Sequence, residues 1–270
     1  MKLAAYESDD HTMIGHVAAD GVVTPVDEIE AFWRAPDLAL GRAGADPVGA
    51  LDAMRQRPAV PPSARVICVG LNYRLHAAEA NQPIPEVPVI FSRWTRTLGV
   101  DGQPAPAVEA RFDWEGELGV VVGRPMFRVD EAAAADGVFG YVAFNDLSAR
   151  TFQMRTSQWT MGKNSDASGP MSPIVTADEV GDPAQGLRLT TRVNDETMQD
   201  ATTADMIFTV PQLIAYVSQV MTLQPGDLIA TGTPAGVGAA RRRFLKPGDA
   251  VEVEIERVGR VRTPIVAPPA

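Results

Sequence analysis

The sequence predicts a β-dominated α+β fold in two pieces, a small α/β unit over residues 1–60 and a larger body over 61–270. Three observations carry this. Short apolar runs rich in valine and aromatics, bounded by glycines and polar turns, recur at 118–122, 138–144 and 187–193. Helical spacing is confined to a few segments and does not alternate regularly with the strands, which argues against a repeating βαβ layout. The run Arg57-Pro58-Ala59-Val60-Pro61-Pro62 concentrates prolines, which lack a backbone donor, and it marks the boundary between the pieces.

Before that boundary, 2–6, 13–17 and 22–24 read as short strands separated by polar turns, and 48–56 reads as a helix. After it, 65–69 is a continuous apolar strand, 71–81 is helical or lid-like, and 89–92 is a strand. Residues 210–221 have helical spacing and end before Gln224-Pro225-Gly226-Asp227. Leu228–Ala230 is a strand leading into Thr231-Gly232-Thr233-Pro234. Over 249–258, Val251, Val253 and Ile255 alternate with Glu252, Glu254 and Glu256, the pattern of a half-buried antiparallel strand.

Composition narrows the function. A chain of 270 residues, 45% hydrophobic and 21% charged, can bury a core without covalent staples. Its one cysteine, Cys68, rules out an intramolecular disulfide and lies in the apolar run Val66-Ile67-Cys68-Val69, where a buried, inert thiol is expected. The formal charge of −10 argues against nucleic acid as a partner, because phosphate binding needs a basic face. Arg241-Arg242-Arg243 is the one dense basic run and reads as a solvated edge. No stretch approaches the roughly 18 apolar residues of a membrane span. The first residues lack the apolar core of a signal peptide, so the cytoplasm is the expected location.

Several constellations carry chemistry. In Phe112-Asp113-Trp114-Glu115-Gly116-Glu117-Leu118-Gly119, strand alternation puts Glu115 and Glu117 on one face, with Gly119 leaving room beside them. Two such carboxylates repel, so either that face is solvated or a cation sits on it. Asp146 stands where the apolar strand before it leaves the core, a rigid place for a third oxygen ligand, although Asn145-Asp146 also suits a turn. An all-oxygen set favours Mg²⁺, Mn²⁺ or Ca²⁺ over zinc. The histidines agree, because His11, His16 and His76 form no zinc motif. His76 and Glu79 share a helix face at i and i+3, which suits either a general base or an ordinary surface pair. Lys163, among small residues and turns, can reach an anionic group or stand on the surface.

The order and spacing of these pieces resemble the fumarylacetoacetate hydrolase family. The matching segments are Gly70-Leu71-Asn72-Tyr73, His76 with Glu79, Pro88-Val89-Ile90-Phe91, Asp113 to Leu118, Gly140-Tyr141, Asn145 to Arg150, Gly162-Lys163, and Thr231-Gly232-Thr233-Pro234. They span roughly 65 to 258. The resemblance implies a mixed β-roll, usually dimeric, preceded by a small N-terminal domain. It implies a divalent metal, Mg²⁺ or Mn²⁺ and sometimes Ca²⁺, on Glu115, Glu117 and Asp146. The base dyad falls on His76 and Glu79 in a lid, Lys163 joins them in catalysis, and Arg150, Gln153 and Thr233 anchor substrate.

Members include acylpyruvases and 2-hydroxyhepta-2,4-diene-1,7-dioate isomerases of aromatic catabolism. The leading expectation is a homodimeric hydrolase that cleaves a C–C bond in an acylpyruvate-like diketo acid, with the metal polarising the 2-oxo acid and stabilising an enolate. The alternatives are a decarboxylase or isomerase of 2-oxo dicarboxylates, or a non-catalytic oxo-acid binder. Two departures stand out. Arg93 replaces a frequent lysine, and Asn164-Ser165-Asp166-Ala167-Ser168 is small where relatives carry aromatics. The smaller side chains over 164–168 suggest a roomier or altered pocket, which bears on the substrate and not on the metal site.

Overall fold

A computed structural model of the chain describes residues 1–41 and 46–269. Its main strands are β1 (Lys2–Ser8), β2 (His11–Val17), β3 (Val22–Glu28), β4 (Val66–Gly70), β5 (Val89–Arg93), β6 (Gly116–Val122), β7 (Val138–Asn145), β8 (Ile174–Thr176), β9 (Arg188–Val193), β10 (Glu196–Thr202), β11 (Leu228–Ala230), β12 (Ala250–Ile255) and β13 (Gly259–Val266). The helices that matter below are α1 (Ile29–Arg34), α2 (Arg74–Glu79) and α3 (Val210–Ser218). The fold is α+β and strand-dominated.

One large mixed sheet runs β3-β2-β1-β8-β7-β6-β11-β4-β5 among the described residues. A smaller sheet runs β10-β9-β12-β13. The strands of the first 57 residues join the large sheet through β1, where Leu3 pairs with Ile174. Most pairings are antiparallel, but β11 runs parallel to β4, with Ile229 opposite Ile67.

All seven residues of β6 are buried, so both of its faces pack. Leu118, Val120 and Val122 face a core shared with Leu213, Ile214 and Val217 of α3 and with Val253 and Ile255 of the smaller sheet. Val121 faces the other core, with Phe32 and Trp33 of α1 and Phe139 and Val142 of β7. α3 is capped by Thr209 and Gln212, whose side chain accepts from the Thr209 amide at 3.0 Å and satisfies an otherwise orphaned donor. Among the described residues no helix is long and apolar enough to cross a membrane.

Two expected elements differ. The segment 48–56 is not a helix. Gly49–Ala50 pairs with β3, one 3-10 turn follows at Leu51–Ala53, and Gln56–Arg57 pairs with β1. The Val48 and Leu51 amides donate to Val23 and Gly21, so strand pairing takes the donors a helix would have used. The helix expected over 71–81 is shorter, because Leu71 and Asn81 both take a left-handed φ of 52°.

Candidate active site

β6 and β7 pair with Gly116 opposite Asn145, so Glu115 and Asp146 meet just beyond the strand ends. The Asp146 amide donates to the Glu115 carbonyl at 2.8 Å. The acidic stretch is not one continuous strand. Phe112–Asp113 pairs separately with Ser148–Ala149, and the chain breaks at Trp114-Glu115 before β6 begins. Ligand oxygens of Glu115, Glu117 and Asp146 lie within 4.8 Å of one another. All three are buried, at 6%, 1% and 0% exposure, which removes the reading of a solvated acidic face.

Their environments differ. Burial pushes the Glu115 carboxyl up, but Arg150 at 2.5 Å and Lys163 at 2.6 Å outweigh burial and hold it at about 2. Asp146 sits between the Arg93 Nε and the Lys163 ammonium, the latter at 2.5 Å. Burial, with the charges of Asp146 and Glu115 added, pushes Glu117 well above the usual carboxylate range. Its hydrogen-bond donor is the Gly232 amide at 2.9 Å. Four buried carboxylates, Asp113, Glu115, Glu117 and Asp146, thus face three buried cations, Arg93, Arg150 and Lys163. Glu117, with no cation in hydrogen-bond reach among the described residues, is the observation that fits a metal. The acidic triad can hold one, and its oxygen-only chemistry suits a hard divalent cation.

The triad opens on a cavity of about 560 Å³, within the range of small-molecule sites. Its lining includes His76, Glu79, Glu115, Glu117, Arg150, Gln153, Lys163 and Thr233, with Asp146 behind the floor. The sequence-derived candidates therefore converge on one place. His76 Nδ1 is 3.3 Å from Glu79 Oε2. The Glu79 carboxylate also accepts from the Gly236 amide, at 2.9 and 3.1 Å. Gly236 has φ +104°, and a Cβ there would lie 2.2 Å from the Met198 carbonyl oxygen, so only glycine brings its amide to Glu79.

Arg150 donates from Nε to Asp113 at 2.7 Å and from Nη1 to Gln153 at 3.0 Å, while its buried Nη2 has no partner among the described residues. Burial opposes the charge on Lys163, but Asp146 and Glu115 raise its pKa, so it is an ammonium and not a base. The Thr233 hydroxyl donates to the Gly116 carbonyl at 2.9 Å and accepts from Gln199 at 2.8 Å, which leaves it no proton for a ligand.

The family model described as the fumarylacetoacetate (FAA) hydrolase C-terminal domain matches residues 65–266. The chain belongs to the fumarylacetoacetate hydrolase family. A Burkholderia multivorans relative, provisionally named a hydrolase, is 43% identical over 96% of both chains. The structure of 2-hydroxyhepta-2,4-diene-1,7-dioate isomerase from Mycobacterium marinum is 33% identical over the whole of both chains, with a TM-score of 0.79. Fumarylpyruvate hydrolase from Pseudomonas aeruginosa, in complex with Mn²⁺ and pyruvate, is 28% identical, covering 79% of this chain and 92% of that one, with a TM-score of 0.70. The family's hydrolases and isomerases support an enzyme here.

Three residues of this fumarylacetoacetate hydrolase family member were not assigned roles from sequence. Asp113, fully buried, accepts from the amides of Gly238 at 2.7 Å and Ala239 at 2.8 Å and holds Arg150. It continues the 113, 115, 117 alternation, the one signal that could have found it. Gln199 reaches from β10 to the Gly116 amide at 3.0 Å. Arg93 donates to Asp146, Thr97, the Leu147 carbonyl and both oxygens of Ser168. Its guanidinium does not line the cavity, and neither do residues 164–168. Arg93 therefore supports Asp146, and Ser168 shares in that support through its two hydrogen bonds to Arg93. Trp159 also lines the cavity and packs edge-on to Phe91 at 5.2 Å, whereas Arg155 stacks on Phe152 outside it.

Proposed function

We propose that the protein is a metal-dependent hydrolase that cleaves a C–C bond in an acylpyruvate-like diketo acid. The observation that carries this reading is the His76–Glu79 pair on the wall of the same cavity that exposes Glu115 and Glu117, with Asp146 completing the carboxylate cluster behind its floor. Mg²⁺ or Mn²⁺, and alternatively Ca²⁺, held by Glu115, Glu117 and Asp146 would supply Lewis-acid polarisation of a substrate oxygen.

The chain's own residues do the rest. The unpartnered Nη2 of Arg150 takes the substrate carboxylate, and Gln153, bonded to Arg150, flanks it. His76, oriented by Glu79, accepts a proton from water, and the hydroxide adds to the carbonyl carbon remote from the 2-oxo acid. The C–C bond then breaks, and its electron pair passes toward the pyruvate half. Lys163, kept charged by its two carboxylates, stabilises that developing negative charge. The proton held by His76 returns to the methyl carbon, so the products are an acid and pyruvate. Thr233 positions the Gly116 backbone beneath the substrate. The reading includes the homodimer usual in the family, which light scattering would check.

Incubating the Mn²⁺-loaded protein with acetylpyruvate should yield equimolar acetate and pyruvate. If acetylpyruvate survives while oxaloacetate loses CO₂, the hydrolase reading gives way to a decarboxylase on the same scaffold.

A further inference from the structure

We propose that Arg111 is a specificity-determining residue of this cavity, a second anion-binding point that favours 2-oxo acids with a further carboxylate at the remote end. The proposal rests on the acylpyruvate reading above and assigns the choice among such acids to one residue.

Arg111 precedes the short strand Phe112–Asp113, which runs antiparallel to Ser148–Ala149 with Phe112 opposite Ala149. The next pair in that register is Arg111 and Arg150, and the Arg150 amide donates to the Arg111 carbonyl at 3.2 Å. Antiparallel partners have Cα atoms within about 5.5 Å of each other. The two arginines therefore stand side by side, and both line the cavity.

Their electrostatic situations are opposite. Arg150 is buried and compensated by Asp113 and Glu115. Arg111 is exposed, and among the described residues its guanidinium has neither a carboxylate partner nor a hydrogen bond. The guanidinium lies over the ring of Phe244, 5.3 Å from its carbon to the centroid. An aromatic face orients the fork and leaves its donors open. Ala239 and Ala240 also line the cavity and offer no competing side-chain acceptor. A 2-oxo acid head engaged by Arg150 fills only part of about 560 Å³, so the acyl half extends along the wall that Arg111 shares. In a chain of net charge −10, an uncompensated cation at a cavity wall is also the element that would draw a dianion in against the overall field.

The experiment compares fumarylpyruvate, a dicarboxylate, with acetylpyruvate, a monocarboxylate, on the Mn²⁺-loaded wild type and on Arg111→Ala. Because Arg111 is exposed, the variant should fold. The expected result is that the ratio of kcat/KM for fumarylpyruvate over acetylpyruvate falls about tenfold or more, the loss of a charge-assisted hydrogen bond, and that Arg111→Lys restores part of it. A ratio unchanged within about twofold would overturn the proposal, as would a wild type that cleaves acetylpyruvate and ignores fumarylpyruvate. If the wild type cleaves neither, the hydrolase reading fails. Calorimetric affinities of the same two compounds then decide on Arg111, with the same tenfold change in ratio expected and an unchanged ratio overturning it.

Discussion

At one end of β7, Phe139 packs against Phe32 and Trp33, with ring centroids 5.8 and 5.0 Å away. Just past the other end, Asp146 is wedged between Arg93 and Lys163. Both regions are fully buried, and they solve different problems. The aromatic end gains by removing apolar surface from water, and its edge-to-face contacts add to that. The charged end loses several kcal/mol per buried ion before pairing, and recovers this only where every group finds a partner. Arg93 reaches that completeness, with all three nitrogens bonded, and Glu117 does not. The sheet is thus stabilised at one end and poised for a ligand at the other, and the two properties should separate under mutation.

The sharpest separation is expected from Glu117→Ala. Mn²⁺ binding measured by calorimetry should be lost together with turnover, while thermal stability holds or rises because a strained carboxyl has been removed. Retained affinity would refute the metal assignment. His76→Ala should lower kcat by about 10²–10⁴-fold and leave Mn²⁺ affinity as in the wild type, as expected for a lost general base. A rate near wild type would take His76 out of the mechanism. Phe32→Ala acts at the opposite end. It should destabilise the fold by about 3–5 kcal/mol in denaturant titrations. The Mn²⁺ Kd of the folded variant should not move, and a parallel loss of affinity would show that the two ends are one unit. Arg93→Lys is the smallest effect. It keeps the charge but not the five-bond fork, so Mn²⁺ affinity should fall about 10–100-fold, with a lower melting temperature because buried acceptors at Leu147 and Ser168 lose their donors. An unchanged Kd would mean that Arg93 only fills space.

What the sequence reveals follows the same division. Glu115 and Glu117 are legible because strand alternation is local, and His76 with Glu79 because helical spacing is local. The order of motifs, rather than any one of them, ties Asp146 to that pair. Asp113 lies in the same alternation, but its service to Arg150 and to the 238–239 amides appears only once the strand break at 114–115 is known. Arg93 and Gln199 act through pairings with segments far away in sequence, and no local pattern encodes those. Residues 48–56 misled for the converse reason. Leu51 and Met54 have helical spacing, yet β3 claims the backbone donors around them. The departures at 93 and 164–168 were legible as departures, but the direct bond from Arg93 to Asp146 was not.

β11 lies between β6 and β4, although it follows both in the chain by more than a hundred residues. On the ribosome, β4 and β6 therefore emerge with a gap between them, and the edges that border it carry unpaired amides and carbonyls. The gap closes only when residues 228–230 leave the exit tunnel, and such long-range pairing is slow. The turn that follows brings the Gly232 amide to Glu117 and the Gly236 amide to Glu79. Under the proposed function a nascent chain stays inactive until then, when one late strand seals the sheet and brings amide donors to Glu117 and Glu79.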